Sequence, residues 1–146
     1  STYTLDNIQT WETLNNDTAK IMMGTGVYTT TVNMTKDEAK AKWAINLGDV
    51  RESARVYVND NFVGCAWSVP FILDCKDAFK AGKNTLRIEV TNLPANRISE
   101  LDRQGVKWRK FDEINVVDIN YKKTSYANWE AVKSGLNSSV TLLKLK

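Results

Sequence analysis

The stretch SYANWE, Ser125 to Glu130, sets two aromatic rings, an amide, a hydroxyl and a carboxylate within six residues. A little earlier, Trp108 and Arg109 repeat the pairing of a ring with a polar group, and Asn96 with Arg97 add an amide and a guanidinium. These types suit one chemistry: aromatic faces pack on the apolar C–H side of a pyranose, while amide, Arg and acidic groups bond to its hydroxyls. Trp108, Arg109, Tyr126, Asn128, Trp129, Asn96 and Arg97 are therefore the candidate carbohydrate-contacting residues. Trp67 is a further candidate, although its place in a hairpin is better explained by packing. For every ring the competing reading is a loop anchor turned inward.

A second chemistry, glycoside hydrolysis, needs two carboxylates about 5 to 5.5 Å apart for retention or about 6.5 to 9.5 Å for inversion. Glu100, Asp102, Asp112, Glu113, Asp118 and Glu130 would be its candidates, but a chain with 17 acids contains such pairs by chance. Solvated or salt-linked surface carboxylates are the expectation for them. The chain has no histidine, which excludes within it a Ser-His or Cys-His nucleophile pair, an imidazole base and a His-ligated metal. Cys65 and Cys75 are too few for a zinc site and form no CxxC pair. They read as buried thiols, or as one disulfide if the chain is exported. No catalytic residue is assigned and no cofactor is expected. A structural calcium ion on scattered oxygens would leave no linear motif, so metal binding stays open.

The 20 basic and 17 acidic residues are interleaved, as in RISELDRQGVKWRKFDE, and Lys122 with Lys123 is the one basic pair near aromatic residues. That pattern predicts a solvated face and no nucleic-acid partner. No apolar run approaches the roughly 20 residues of a membrane helix, so no membrane partner is expected. The start STYTLDNIQTWETL has neither a basic head nor an apolar core. Any targeting segment is thus expected to lie outside this chain.

The elements that must carry these residues are strands. GVYTTTVNM alternates with Tyr28, Val32 and Met34 on one face, and KWAINL brings Trp43, Ile45 and Leu47 together. Tyr28 and Trp43 read as core. TKDEAKAK between them is a polar connection of about one helical turn. ARVYVNDNFVGCAW reads as a hairpin, with Val56 and Val58 inward and Asn59-Asp60-Asn61 at the turn. Asp74 caps the brief turn DCKDAF, AGKN is a turn, and TLRIEV places Leu86, Ile88 and Val90 on one face. From Thr91 to about Gly135 the period is lost. INVVDINY, Ile114 to Tyr121, is the one strand-like run there, and no convincing helix is visible. SSVTLLKLK closes the chain as a strand. Length and pattern predict a single domain over residues 1–146. Its class is all-β, an antiparallel two-layer β-sandwich of about eight strands with a long ordered loop segment near the C-terminus.

The succession GTGVYTTTV, AINLGDVRESARVYVNDNFVG and PFILDCKDAFKAGKNTLRIEVTN, followed by GLNSSVTLLKLK, resembles the sugar-binding jelly-roll domain of glycoside hydrolase family 2. It is also similar to accessory domains of bacterial rhamnosidases and other pectin-degrading enzymes. The resemblance implies a galactose-binding-domain-like fold in a periplasmic or extracellular glycan-degrading protein. It implies as partners an oligo- or polysaccharide and a catalytic domain of the same polypeptide, which would hold the catalytic carboxylates. The chain then reads as a non-catalytic carbohydrate-binding or ancillary piece of a longer glycoside hydrolase. The alternatives are a purely structural module that docks another domain, and a self-sufficient two-carboxylate glycosidase.

Overall fold

The computed structural model describes residues 7–111 and 118–146. Its strands are β1 (Thr25–Met34), β2 (Trp43–Asn46), β3 (Val50–Arg51), β4 (Ser53–Val58), β5 (Asn61–Ala66), β6 (Ile72–Lys76), β7 (Gly82–Thr91), β8 (Gly135–Leu136) and β9 (Thr141–Lys144). They pair antiparallel as a four-stranded sheet β1-β7-β4-β5, a three-stranded sheet β6-β2-β9 and a short β3-β8 ladder. The two-residue alternation sends Val56, Val58, Leu86, Ile88 and Val90 from the larger sheet into the core that holds Ile45 and Leu47 of the other layer. This is the expected all-β sandwich. Tyr28 and Trp43 pack against that core, half-buried, as the periodicity predicts.

Local chemistry explains the turns. Asn59 and Asp60 take φ of 49° and 63° between β4 and β5, the left-handed pair that a tight hairpin turn demands. Thr35 and Glu38 cap the short turn at Glu38–Lys40 reciprocally, the Thr35 N–H donating to Glu38 Oε2 at 2.7 Å and the Glu38 N–H to Thr35 Oγ1 at 3.2 Å. The Lys76 N–H donates to Asp74 Oδ1 at 2.8 Å, the capping role expected of that aspartate.

Two polar ties fasten the chain beyond the sheets. Trp11, buried in the core, donates its indole N–H to Tyr28 Oη at 2.7 Å, and the Leu136 N–H donates to the same oxygen at 3.1 Å. A Cβ on Gly135 would run into the Trp11 ring and that hydroxyl, and φ there is +87°, so glycine is required. Asn92, at the end of β7, accepts from the Gly24 N–H at 3.0 Å and donates to the Met22 carbonyl at 2.8 Å and Ser134 Oγ at 3.1 Å.

Three expectations are corrected. The segment after β7 is not irregular from its start: α2 (Ala95–Arg103) is a nine-residue helix, and α1 (Asp17–Lys20) is a single turn. Nine strands form among the described residues, in keeping with the eight or so expected. The first half of the anticipated strand Ile114–Tyr121, residues 114–117, lies outside the described residues. Its described end is a turn, in which the Tyr121 N–H donates to the Asp118 carbonyl at 3.1 Å. Both cysteines are free: Cys75 is buried as expected, whereas Cys65 is exposed on edge strand β5. Burial pushes the Cys75 thiol up to about 11, with Asp74 adding to the shift, so it stays protonated at neutral pH. Among the described residues no helix is long and apolar enough to cross a membrane.

Candidate functional site

Helix α2 organises the candidate residues. It begins directly after Pro94, whose carbonyl accepts from the Ile98 N–H at 2.9 Å. Gly105 stops it with φ of +66°: the Gly105 N–H reaches the Asp102 carbonyl at 3.1 Å and the Val106 N–H the Leu101 carbonyl at 2.9 Å. These two bonds are the pattern of a Schellman ending, which needs a left-handed residue at that place. Asn96 and Ser99 face inward and are buried. Asn96 pairs with the backbone of Val132 in both directions, accepting at 2.8 Å and donating at 2.7 Å. Glu100, Arg103 and Gln104 stand at i, i+3 and i+4, so they share one helix face. Arg103 Nη2 lies 2.9 Å from Glu100 Oε2, and Gln104 donates to Glu100 Oε1 at 2.7 Å. Arg103 also donates to Ser99 Oγ at 2.8 Å and to the Ala127 carbonyl at 3.3 Å.

Asp102 closes the base of the following loop. Its Oδ1 accepts from the Trp108 indole N–H at 2.5 Å and its Oδ2 from the Tyr126 N–H at 2.7 Å. Two charge-assisted bonds thus bring together residues 18 positions apart. The Arg109 guanidinium lies 5.0 Å from the Trp108 ring centre and 4.9 Å from that of Tyr126, and donates to the Thr124 carbonyl at 2.5 Å. Tyr126 is 6.2 Å from Trp108 and 4.4 Å from Trp129, centre to centre, so the three rings form one ridge.

These bonds set the electrostatics. The Tyr126 N–H, then the Trp108 indole, hold the Asp102 carboxyl below its ordinary value, with Arg109 and Lys123 adding to the effect. Glu100 is lowered as well, first by Arg103 and then by Gln104. Both carboxyls are therefore ionised at neutral pH, whereas the general acid of a hydrolase needs a raised value.

Two depressions flank the ridge. The larger, about 510 Å³, lies between α1 and α2, with Trp129 on its wall and Glu12, Asp17, Lys20, Glu100, Arg103 and Gln104 among its lining groups. Trp129 is 50% exposed, so half of its surface is available to a ligand. The smaller, about 290 Å³, has Asp102, Lys107, Trp108, Arg109, Lys123 and Ser125 among its lining residues.

The structure thus gathers Trp108, Arg109, Tyr126 and Trp129 of the sequence candidates. Asn96 also reaches the larger cleft, but its amide is engaged by the Val132 backbone. Arg97, half-buried on α2, contributes to lowering Glu100 and lines neither depression. Asn128 is exposed in the turn that the Trp129 N–H closes on the Tyr126 carbonyl at 3.1 Å, and it too lines neither. Trp67 follows edge strand β5, apart from the ridge, and at 76% exposure it is not the packed ring that its hairpin position suggested. Of the candidate carboxylates, Asp112 and Glu113 lie outside the described residues. Among the described residues no three acidic or cysteine side chains converge as a metal cage. Sequence reasoning named Glu100 only as a carboxylate and missed Arg103 and Gln104 beside it, whose spacing in ISELDRQG is helical, and Lys107 with Lys123, which line one depression.

Comparison with known proteins agrees with this architecture. A protein of Formosa agariphila provisionally named a beta-glucuronidase is 29% identical over 155 aligned residues, which cover 94% of this chain and 13% of that protein. The solved structure of a rhamnosidase from Novosphingobium sp. PP1Y superposes with a TM-score of 0.72 at 26% identity, over 94% of this chain and 12% of that one. The beta-D-glucuronidase of Dictyoglomus thermophilum shares the fold over 56% of this chain and 15% of its own, with a TM-score of 0.51 at 19% identity. The chain therefore spans about an eighth of the first two relatives. Residues 9–134 match the glycosyl hydrolase 2 galactose-binding domain-like family, and the chain belongs to that family.

Proposed function

We propose that this chain is a non-catalytic, glycan-holding domain of a larger glycoside hydrolase, with the Trp129 cleft as its sugar site. The observation that carries the reading is the half-exposed Trp129 ring, braced by Tyr126 at 4.4 Å, on the wall of a cleft lined by the polar row of α2. A fixed ring beside convergent hydroxyl-bonding groups is the arrangement that recognises a pyranose. Support for catalysis elsewhere comes from the ionised, already engaged Glu100 and Asp102, and from relatives about eight times longer than this chain. A periplasmic or extracellular setting suits a domain that meets polysaccharide.

A docking role is favoured by a different observation. Phe62, Trp67, Val69 and Ile72 are exposed apolar side chains along β5 and the start of β6, a stretch suited to contact with another domain of the same polypeptide. The two roles use different elements and can coexist.

Affinity electrophoresis of the chain on a panel of plant and host polysaccharides tests the sugar reading. One glycan is expected to retard it, and Trp129→Ala to weaken that retention about tenfold, the loss of one stacking contact, with unchanged cooperative melting. Retention on no glycan, or retention indifferent to Trp129, would leave docking as the function.

A further inference from the structure

Every charged side chain that lines the Trp129 cleft is already engaged. On the α1 wall, Lys20 Nζ lies 3.1 Å from Asp17 Oδ1. On the α2 wall, Arg103 donates through Nε to Glu100 Oε2 at 3.0 Å and through Nη1 to Ser99 Oγ at 2.8 Å and the Ala127 carbonyl at 3.3 Å, while its Nη2 lies 2.9 Å from Glu100 Oε2. Glu12 Oε2 accepts from the Ser134 N–H at 3.1 Å. Three carboxylates thus stand against two cations, so the lining carries a net charge of −1.

An anionic sugar finds no uncommitted cation there. To gain an ion pair, a uronate must draw Lys20 from Asp17 or Arg103 from Glu100, which breaks one pair to form another and sets two carboxylates side by side. A sugar hydroxyl has no such cost, since it donates to a carboxylate oxygen and accepts from an ammonium or amide at once. The ion pairs then stay whole, with the carboxylates of Glu12, Asp17 and Glu100 as acceptors and Lys20 and Gln104 as donors beside the Trp129 ring. At about 510 Å³ the cleft is of ordinary ligand-site size.

We infer that the Trp129 cleft selects an uncharged pyranose, and that Glu100 and Asp17 are the residues that keep uronates out, by occupying Arg103 and Lys20. The inference rests on the reading that the domain holds glycan, and adds the class of glycan. A cationic amino sugar is the poorer fit. The surplus is a single charge, each carboxylate already has a donor, and an exposed ion pair contributes little at physiological salt.

The test is affinity electrophoresis of the chain, at about 0.15 M salt, on a neutral galactan, a mannan and a glucan, on each of these oxidised at C6 to its uronate, and on glycol chitosan. The best-retained polymer is expected to be neutral, and to lose about tenfold or more in affinity once oxidised. Glu100→Gln and Asp17→Asn keep the side-chain shape and remove one carboxylate each. Each is expected to raise the ratio of uronate to neutral affinity about tenfold, with cooperative melting as the check that the variant is folded. A rise in one variant alone assigns the selection to that wall of the cleft. An oxidised polymer bound as tightly as its parent, or a ratio unmoved in both variants, overturns the selection, and the sugar site itself stands as long as retention still depends on Trp129. Tightest binding to glycol chitosan overturns it in favour of a cationic sugar. If no polymer retains the chain, or retention is indifferent to Trp129, the glycan-holding reading falls and the inference with it.

Discussion

Asp102 matters through what it holds. Its two oxygens fix Trp108 and Tyr126, and Tyr126 in turn braces Trp129. Folding lowers its pKa, so near that pKa the folded chain binds fewer protons than the unfolded one. The stability it contributes is complete above about pH 3.9, the unfolded value, and is lost as pH falls through the folded value. Glu100 is lowered too and adds to the same acid-side slope, its unfolded value being about 4.3. Urea midpoints measured between about pH 2 and 6 should therefore fall with acid in the native chain, and fall less steeply in Asp102→Asn, which keeps the shape but cannot titrate. Parallel slopes in the two proteins would place the acid sensitivity in other carboxyls. The sequence shows Asp102 only as one acid among 17, because nothing in its neighbours reveals that residue 126 returns to it.

At the scale of elements, α2 turns an irregular-looking segment into a site, and its C-terminal glycine is the cleanest handle on it. Gly105 takes φ of +66° and a Cβ there meets nothing within 4 Å, so Gly105→Ala introduces backbone strain without a clash. The expected cost is about 1 kcal/mol, a melting temperature lower by a few degrees, with α2 fraying from its last turn. A melting temperature equal to that of the native chain would mean that the Schellman ending is not what stops the helix. The strands were legible in the sequence, because Val56, Val58, Leu86, Ile88 and Val90 alternate cleanly and all reach the core. The helix was not, because only Ile98 and Leu101 mark its apolar face, Pro94 obscures its start, and its buried positions are the polar Asn96 and Ser99. A residue buried for its hydrogen bonds leaves no hydrophobic period to read.

The molecule as a whole is a sandwich platform carrying one excursion, which leaves β7 after Asn92 and returns at Ser134, where the Asn92 side chain donates to Ser134 Oγ. Of the sequence candidates for the sugar site, all but Trp67 lie within that excursion, so its rigidity sets the precision of the site. The platform is held by its apolar core, whereas the excursion is fastened by polar ties: Asn92, the Asn96–Val132 pair and Asp102. Regions held in this way open locally at lower free energy than a core does. Asn96→Ala removes both bonds to the Val132 backbone and leaves its N–H and C=O without those partners, a cost of about 1–3 kcal/mol. Hydrogen exchange at Val132 should then quicken roughly ten- to hundredfold, while the Val56 and Ile88 amides of the sheet keep their protection. Sugar affinity should fall with it, because Trp129 sits on the loosened stretch. If Val56 and Ile88 quicken as much as Val132, the excursion and the sandwich unfold as one unit, and the ties around α2 help to hold the entire domain.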